Sequence, residues 1–381
     1  MAREHTNAQR GFSLKDQLFN KETVSYLAGL FTAQDDRFPR SDFIDSVMAG
    51  LLPLELKARQ AWIADNLAQV LPAAFEEMAQ VIEAALPPPL DPTKTDDDFG
   101  SFIIAPLGDL VVAHGMDQPE IALPLLGEIT KRFSMEFAIR PFLNAHEDLT
   151  LSYMRTWSES DNYHQRRLVS EGTRPKLPWG QGIKLDPQTP LAFLRTLHGD
   201  PTRFVTRSVA NHLNDLSKSD PDGVVAVLKS WAKLKQQNPA ELNWMTRHAL
   251  RTRVKAGHRG ALEMLGYRHK PNISIEAFTV ENPTLMIGDQ IAFSTLLTAQ
   301  ADENLMVDFV IEFVKANGTT RPKVFKWKSL NMKKGTQVQL VKKHRFLAES
   351  TTFTHYPGRH SIALQVNGTQ VAKQEFTLSH A

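Results

Sequence analysis

The chain has 381 residues, of which 42% are hydrophobic, 44 are Lys or Arg and 42 are Asp or Glu, and it contains no cysteine. This length favours two domains, and the lack of cysteine excludes disulfides and thiolate metal sites and is typical of a reducing cytoplasm. The polar residues 1–18 argue against a secretory signal, and no apolar run approaches the ~18 residues of a membrane span, so we expect no membrane association.

Helical periodicity dominates residues 13–133. Apolar residues recur at three- and four-residue steps in stretches predicted as amphipathic helices at about 13–31, 41–50, 53–70, 73–86, 99–115 and 119–133. Three consecutive prolines, beginning at Pro87, end the fourth of them. An all-α architecture is therefore predicted for this part of the chain.

One carboxylate stands in an unusually apolar stretch. Glu136 follows Met135 and precedes Phe137, and Arg140 comes one helical turn later. An unpaired buried charge is costly, so this carboxylate must be paired, hydrogen-bonded or functional. The simple structural alternative is an intrahelical pair between Glu136 and Arg140 at i,i+4.

A short pattern then returns three times at a spacing of forty residues, centred on Arg167, Arg207 and Arg247. Each copy follows a turn segment, and a helical apolar run precedes that turn at 149–157, 191–197 and 224–231. Helix pairs of about forty residues returning in register predict a HEAT-like α-solenoid.

The repeat segment also carries the positive charge of the chain. Residues 161–270 hold 19 Lys and Arg against 9 Asp and Glu, whereas residues 1–160 hold 13 against 24. Such a surface favours a polyanion such as nucleic acid, although solvated helix faces explain it equally well. Glu171, Asn211 and Arg251 share one repeat position, which predicts a polar groove, and Asp215 lies one turn after Asn211.

The tryptophans of this region divide into two kinds. Trp157 and Trp231 lie on the apolar faces of predicted helices, and we interpret them as core residues. Trp179 lies in a loop rich in Pro and Gly, near Arg174 and Lys176. It suits stacking on a base or a cationic ligand, and the alternative is that it fills the join between two repeats.

The period changes near Pro271. Alternation predicts strands at 274–279, 290–297, 307–314, 323–327, 337–342, 360–366 and 371–378, and Asn-Gly pairs at 317–318 and 367–368 indicate hairpin turns. This pattern predicts an immunoglobulin-like β-sandwich over 271–381 after a helical domain over 1–270. Ten basic and no acidic residues between Glu312 and Glu349, including Lys333 and Lys334, make a second candidate phosphate-facing surface or an ordinary basic sheet face.

The sequence contains none of the common motifs for phosphate binding, dinucleotide binding, metal binding or serine catalysis. The sequence has no phosphate-binding glycine loop, no dinucleotide fingerprint, no His-Glu-x-x-His helix and no serine nucleophile elbow, so we expect neither a metal nor a cofactor.

Several strings resemble the AlkC branch of the HEAT-like alkylpurine DNA glycosylases, over about residues 13–268. The strings that carry the resemblance are Glu55-Leu56-Lys57-Ala58-Arg59, Thr130-Lys131-Arg132-Phe133, Glu136-Phe137-Ala138-Ile139-Arg140-Pro141-Phe142-Leu143, Arg166-Arg167-Leu168-Val169-Ser170-Glu171-Gly172-Thr173-Arg174-Pro175, Leu177-Pro178-Trp179-Gly180 and Ser208-Val209-Ala210-Asn211-His212-Leu213-Asn214-Asp215. The sister AlkD branch is similar through Ser160-Asp161-Asn162, but it uses an Asp and two tryptophans, where this chain has Glu136 in another register and Asn211 at one tryptophan position. Some AlkC-type proteins carry an added immunoglobulin-like domain.

The resemblance implies a monofunctional, monomeric glycosylase of the bacterial cytoplasm. It would hydrolyse the N-glycosidic bond of 3-methyladenine and 3-methylcytosine in duplex DNA, without drawing the base into a deep pocket. It implies Glu136 as the first and Asp215 as the second candidate for the catalytic carboxylate, and Trp179, Asn211 and Arg140 as substrate contacts. The implied DNA contacts are Arg166, Arg167, Arg174, Lys176, Arg207, Arg247 and Arg251, beside Lys333 and Lys334 of the C-terminal domain.

Two other classes of function stay open at this point. HEAT repeats are most often scaffolds, so a non-catalytic DNA-binding or protein-binding repeat protein is the main alternative. An RNA-binding repeat protein is the second.

Overall fold

The structure is a computed structural model that describes residues 13–96, 99–350 and 353–380. Residues 1–12 of the stretch predicted to lack a secretory signal lie outside this range. Two compact units are distinguished: the residues up to Asp215 with Trp231–Met245, and Leu216–Ser230 with the residues from Thr246 onward. The domain boundary at residue 270 stays a prediction.

The helical region follows the periodicity of the sequence. Its helices are α1 Leu14–Leu18, α2 Lys21–Thr32, α3 Arg40–Leu51, α4 Leu56–Ala68, α5 Phe75–Ala85, α6 Ala105–Gly115, α7 Pro119–Ile129, α8 Ile139–Ala145, α9 Glu147–Ser158, α10 Tyr163–Gly172, α11 Leu191–Leu197, α12 Arg203–Leu216, α13 Pro221–Leu234, α14 Pro239–Lys255 and α15 Arg259–Met264, with a 3-10 turn at Phe102–Ile104. In the first unit, helices close in sequence pack together, as α2 does with α3 and α9 with α10. The predicted all-α region is confirmed.

Each of the three repeats contains two consecutive helices, as the spacing of forty residues predicts. The upstream runs form α9, α11 and α13, and the arginine segments form α10, α12 and α14. The turn before α10 is fixed by Asn162, whose Oδ1 accepts a hydrogen bond from His164 N at 3.0 Å. Trp157 and Trp231 are buried, which confirms their interpretation as core residues.

The C-terminal region is a β-sandwich. Its strands are β1 Ile273–Val280, β2 Thr284–Met286, β3 Gln290–Ala299, β4 Glu303–Val314, β5 Thr320–Met332, β6 Gln337–Arg345, β7 Gly358–Val366 and β8 Thr369–Ser379. They form a three-stranded sheet in the order β1-β3-β6 and a five-stranded sheet in the order β2-β8-β7-β4-β5, antiparallel except for β2 with β8. Phe293, Phe309 and Phe376 are buried in the core between the sheets. The predicted strands are all present, and β2 is an addition.

Both predicted Asn-Gly turns are present, and the second one makes a close backbone contact. Asn367 and Gly368 have φ values of 45° and 75° between β7 and β8, and Gly318 has a φ of 76° between β4 and β5. Within the second unit, Gly368 packs against Gly257, just after α14. Asn367 Nδ2 donates to the carbonyl oxygen of Arg268 at 2.8 Å, which fixes this turn against the chain after α15.

Candidate functional site

Glu136 lies in a turn and not inside a helix, because α8 begins only at Ile139. Its side chain is 16% exposed. Arg140 does not pair with it. The Arg140 guanidinium is buried and donates from Nη1 to the carbonyl oxygens of Gly172 at 2.8 Å and Arg174 at 2.9 Å. The structural alternative of an i,i+4 pair is therefore wrong, because Arg140 instead satisfies the end of α10 and the loop that follows.

The partner of Glu136 is Arg167 on α10. Arg167 Nη1 lies 3.5 Å from Glu136 Oε2 and donates to Ser134 Oγ at 2.7 Å, while its Nη2 lies 4.0 Å from Glu171 Oε1. The Arg167 Cζ also lies 4.4 Å from the centre of the Phe204 ring. The guanidinium thus stands between two carboxylates and on an aromatic face.

Glu171 continues this arrangement toward Asp215. Its Oε1 accepts from Arg174 Nη1 at 2.6 Å and its Oε2 from Ser208 Oγ at 2.6 Å. Arg174 contacts Asp215 Oδ2 from Nε at 3.0 Å and from Nη2 at 2.9 Å. Glu136, Arg167, Glu171, Arg174 and Asp215 form one row of alternating charges, which we call the charge row.

Burial and charge oppose each other within the charge row. Burial alone would raise the pKa of Glu171, but Arg167 and Arg174 outweigh it, with hydrogen bonds from Ser208 and Arg174, and hold that pKa below its ordinary value. Burial would lower the pKa of Arg174, and Glu171 and Asp215 instead raise it. Glu171 and Arg174 therefore both carry their charge in the folded protein.

A buried histidine lies beside the charge row. His212 on α12 is inaccessible to solvent, and its Nδ1 lies 3.0 Å from the carbonyl oxygen of Ser170, to which it donates in the neutral form. Burial, together with the nearby charge of Arg174, lowers the pKa of His212 from 6.5 to about 4, although the hydrogen bond to Ser170 opposes this shift. The ring is neutral at physiological pH.

Trp179 is presented on a strained turn. Its side chain is 82% exposed, and its φ of 60° is left-handed. Gly180 N donates to the carbonyl oxygen of Leu177 at 3.1 Å and closes the turn, while Lys57 Nζ donates to the carbonyl oxygen of Trp179 at 2.5 Å. The alternative that Trp179 fills a join between repeats is wrong. Among the described residues, no group of three or more His, Asp or Glu is arranged to hold a metal ion.

Comparisons with known proteins show which family the chain is similar to. Residues 133–252 match the DNA alkylation repair enzyme family, and residues 274–380 match the C-terminal Ig-like domain of YhaZ. The chain is 30% identical over 356 residues to the uncharacterised protein YhaZ of Bacillus subtilis (strain 168), covering 92% of this chain and 96% of that one. It is 32% identical, with a TM-score of 0.83, to the Pseudomonas fluorescens alkylpurine DNA glycosylase AlkC bound to DNA containing an abasic site analog, covering 96% of this chain and 99% of that one. The chain belongs to the AlkC-like family of DNA alkylation repair glycosylases.

Arg167 and Arg174, expected to contact DNA, and Arg140, expected to contact the substrate, are buried inside the AlkC-like fold. Arg140, Arg167 and Arg174 are 1%, 7% and 8% exposed, and their guanidinium groups are engaged with carbonyl oxygens or with the charge row. We therefore correct the expectation that these three side chains contact DNA or the substrate directly, because they are buried and already paired within the protein. Glu171 is also buried, so the predicted polar groove is wrong at its position, because Glu171 is paired inside the protein.

Two further arginines of the first unit are paired at its surface. Arg166 forms a two-point contact with Asp200, from Nε to Oδ2 at 2.5 Å and from Nη2 to Oδ1 at 3.2 Å, and it also donates to the carbonyl oxygen of Ser160. Arg207 pairs with Asp96, and its side chain is 27% exposed. Arg166 thus joins the turns of two repeats, whereas Arg207 keeps an accessible face.

The remaining candidates are accessible to different degrees. In the first unit Lys176 is exposed and Asn211 is half-buried. In the second unit, Arg247 is exposed and Arg251 is half-buried and donates to the carbonyl oxygen of His248. Lys333 and Lys334 are exposed at the turn between β5 and β6, where Asp302 holds the Lys333 ammonium at 2.8 Å.

The sequence interpretation missed the central position of Glu171. Its spacing carries the signal, since Arg167 lies four residues before it and Arg174 three residues after it, which are the separations of helical ion pairs. The reach of Lys57 to Trp179 has no local signal, because the two residues are 122 positions apart.

Proposed function

We propose that this AlkC-like protein hydrolyses the N-glycosidic bond of cationic N3-methylated bases in duplex DNA, acting as a monofunctional and monomeric glycosylase. The expected lesions are 3-methyladenine and 3-methylcytosine. The observation that carries this proposal is the Glu136 carboxylate, which is partly exposed at the open end of a row of buried ion pairs.

Glu136 is the better candidate for the primary carboxylate. Its side chain is 16% exposed and its nearest charged partner is 3.5 Å away, whereas the Asp215 side chain is 3% exposed and held by Arg174 at 2.9 Å. The carboxylate that reaches solvent and is weakly paired is free to meet a substrate. Asp215 supports the row from its buried end and is the second candidate.

Hydrolysis of the N-glycosidic bond of a cationic base requires little more from the protein than such a carboxylate. A methylated cationic base leaves as a neutral molecule, so positive charge develops on the sugar as the bond to C1′ breaks. Glu136 would stabilise that charge electrostatically and accept a proton from the attacking water. Both tasks need the ionised form.

Two exposed aromatic side chains are suited to contact a damaged base at the protein surface. Trp179 is 82% exposed, and Phe137, which follows Glu136, is 37% exposed. Lys57 Nζ lies 5.6 Å from the centre of the Phe137 ring and also contacts the turn of Trp179, so both aromatic residues border one lysine. The indole face suits a cationic base.

The test is release of free base from a duplex that contains a single 3-methyladenine. We expect release by the wild type and a loss of at least about 10²-fold in Glu136→Gln, with DNA affinity little changed. Asp215→Asn tests the second candidate in the same way. Glu147→Gln, which changes an exposed carboxylate on α9, is the control and should keep full activity.

Three outcomes separate the possible functions. DNA binding without base release by the wild type would favour a non-catalytic scaffold. Preference for RNA in competition with duplex DNA would favour an RNA-binding repeat protein. Wild-type rates in both carboxylate variants would remove the assignment of the catalytic residue.

We also propose that the sandwich contacts DNA through its basic edge, defined by Lys323, Lys326 and Lys328 on β5, Lys333 and Lys334 in the turn, and Lys342, Lys343 and Arg345 on β6. These strands are the edges of their two sheets, and the rings of Phe325 and His344 lie 4.7 Å apart between them. Lysines on edge strands also prevent aggregation, which is the competing explanation.

The salt dependence of DNA binding tests the basic edge. We expect Lys343→Glu to weaken binding at low salt and to reduce the slope of affinity against salt concentration by about 1 or more. Lys270→Glu, which makes the same charge change at an exposed position before β1 and outside this edge, is the control. Equal effects of the two substitutions would assign the edge to protection against aggregation.

A further inference from the structure

The turn that carries Trp179 has a strained backbone at Trp179 itself. The hydrogen bond from Gly180 N to the carbonyl oxygen of Leu177 defines a four-residue turn with Pro178 and Trp179 at its centre. Trp179 has a φ of 60°, and it occupies the third position, where a type II turn requires a positive φ. Glycine or asparagine normally takes this position, because a side chain there is disfavoured. Such strain persists only where surrounding contacts impose it, and it often marks a functional residue.

Contacts on the following residues hold the loop in place. Arg140 Nε donates to the carbonyl oxygen of Gln181 at 2.5 Å. Asn144 Nδ2 donates to the carbonyl oxygen of Gly182 at 3.0 Å, and Asn144 Oδ1 accepts from Lys184 N at 2.8 Å. Both side chains belong to α8, so the loop downstream of Trp179 is tied to the helix that follows Glu136.

Lys57 on α4 contacts the strained residue, Trp179, itself. Lys57 Nζ donates to the carbonyl oxygen of Trp179 at 2.5 Å, and the ammonium also stands 5.6 Å from the centre of the Phe137 ring. Lys57 is therefore placed between the turn that displays the indole and the residue next to Glu136. Its charge makes this a strong hydrogen bond to the carbonyl group.

We propose that Lys57 is a positioning residue for Trp179. Its ammonium fixes the carbonyl group of the strained residue and so holds the indole ring in the orientation that meets the alkylated nucleotide. This inference rests on the proposed glycosylase function. Without the amine, the turn relaxes and the ring samples other directions, so binding energy must first restore the productive geometry.

A double-mutant cycle tests whether Lys57 acts through Trp179. Lys57→Met keeps the length of the side chain and removes the donor, and we expect it to slow single-turnover base release by about 10-fold. Lys57→Arg, which retains a charged donor, should recover most of the rate. In the Trp179→Ala background, Lys57→Met should cause no further loss. Lys21→Met, at an exposed position on α2, is the control and should behave as wild type.

The cycle also separates positioning from direct DNA contact. If Lys57 binds a phosphate, Lys57→Met will weaken binding equally with and without Trp179, and the slope of affinity against salt will fall by about 1. That result would overturn the proposal.

A measurement on the free protein tests the positioning role of Lys57 without an activity assay. Protein labelled with 5-fluorotryptophan gives a fluorine resonance for Trp179, which Trp179→Phe identifies by its disappearance. We expect that resonance to shift and broaden in Lys57→Met and to return in Lys57→Arg, while the buried Trp157 and Trp231 stay unchanged. An unaltered Trp179 resonance in Lys57→Met would overturn the positioning role. A responsive resonance in a protein that releases no base would support positioning and reject the glycosylase proposal.

Discussion

Arg174 holds Asp215 from two nitrogens, Nε at 3.0 Å and Nη2 at 2.9 Å, and turns its third nitrogen to Glu171 at 2.6 Å. One guanidinium thereby pairs with two buried carboxylates that come from α10 and α12. An ion pair in the interior is stable only when every member keeps its partner. The charge row should therefore respond as a unit when one member is removed.

Removal of the Arg174 charge should both destabilise and inactivate the protein. Arg174→Met leaves Glu171 and Asp215 buried beside each other without their shared cation, and we expect a loss of about 3 kcal/mol or more in the free energy of unfolding. Urea unfolding measures it, and base release should fall with it. Lys176→Met, two residues later at an exposed position, should change stability by less than about 0.5 kcal/mol. Equal stability of the two variants would mean that the row is not a structural unit.

The buried His212 should make the helical region sensitive to mild acid. Burial lowers its pKa from 6.5 to about 4 in the folded state. Between these values the unfolded chain binds more protons, so stability falls as the pH falls. We expect this residue to contribute a loss of about 2 kcal/mol between pH 7.5 and about pH 5.

The comparison of pH slopes isolates the contribution of His212. The free energy of unfolding, followed by the helical circular dichroism signal, should decrease less steeply with acid in His212→Asn than in the wild type. The slope is the readout, because the substitution also alters packing. Identical slopes would contradict the neutral buried state of His212.

Asp308 in the β-sandwich should respond to pH in the opposite direction. Burial raises its pKa from 3.8 to about 6, partly offset by Lys255 and Lys326, and its Oδ2 has no hydrogen-bond partner among the described residues. The folded state then binds more protons than the unfolded chain between these values, so stability falls as the pH rises through this window. Asp308→Asn removes this penalty and should stabilise the protein at pH 7.5 by about 1–2 kcal/mol. Thermal unfolding at pH 7.5 and pH 5 should show a gain that shrinks with acid, and a constant gain would point to packing instead.

The contact between Gly368 and Gly257 should tolerate no side chain. A Cβ added at Gly368 overlaps the Cα of Gly257, and the φ of 75° adds backbone strain. Gly318 is a matched control, because it has a φ of 76° in an equivalent Asn-Gly turn but open space around it. We expect Gly318→Ala to cost about 1 kcal/mol and Gly368→Ala about 3 kcal/mol in thermal unfolding. Equal costs would show that the backbone contact adds nothing beyond strain.

Local sequence patterns were enough to predict which helices and strands form. The spacing of apolar residues predicted the helix pairs of the three repeats, alternation predicted strands such as β3 and β7, and Asn367-Gly368 predicted its hairpin turn. The core positions of Trp157 and Trp231 followed from the same periodicity. These features depend on residues a few positions apart, whose geometry is set by the helix or strand they share.

The partners of the charged side chains, by contrast, depend on tertiary packing and could not be predicted from their spacing in the sequence. Glu136 contacts Arg167, 31 positions away, and not its neighbour Arg140, because the chain turns at Glu136 before α8 begins. Likewise, the reach of Lys57 to Trp179 depends on α4 packing close to a loop 122 residues later. A long charged side chain pairs with whatever acceptor the packing brings within about 3 Å, so its role is fixed by the approach of distant elements.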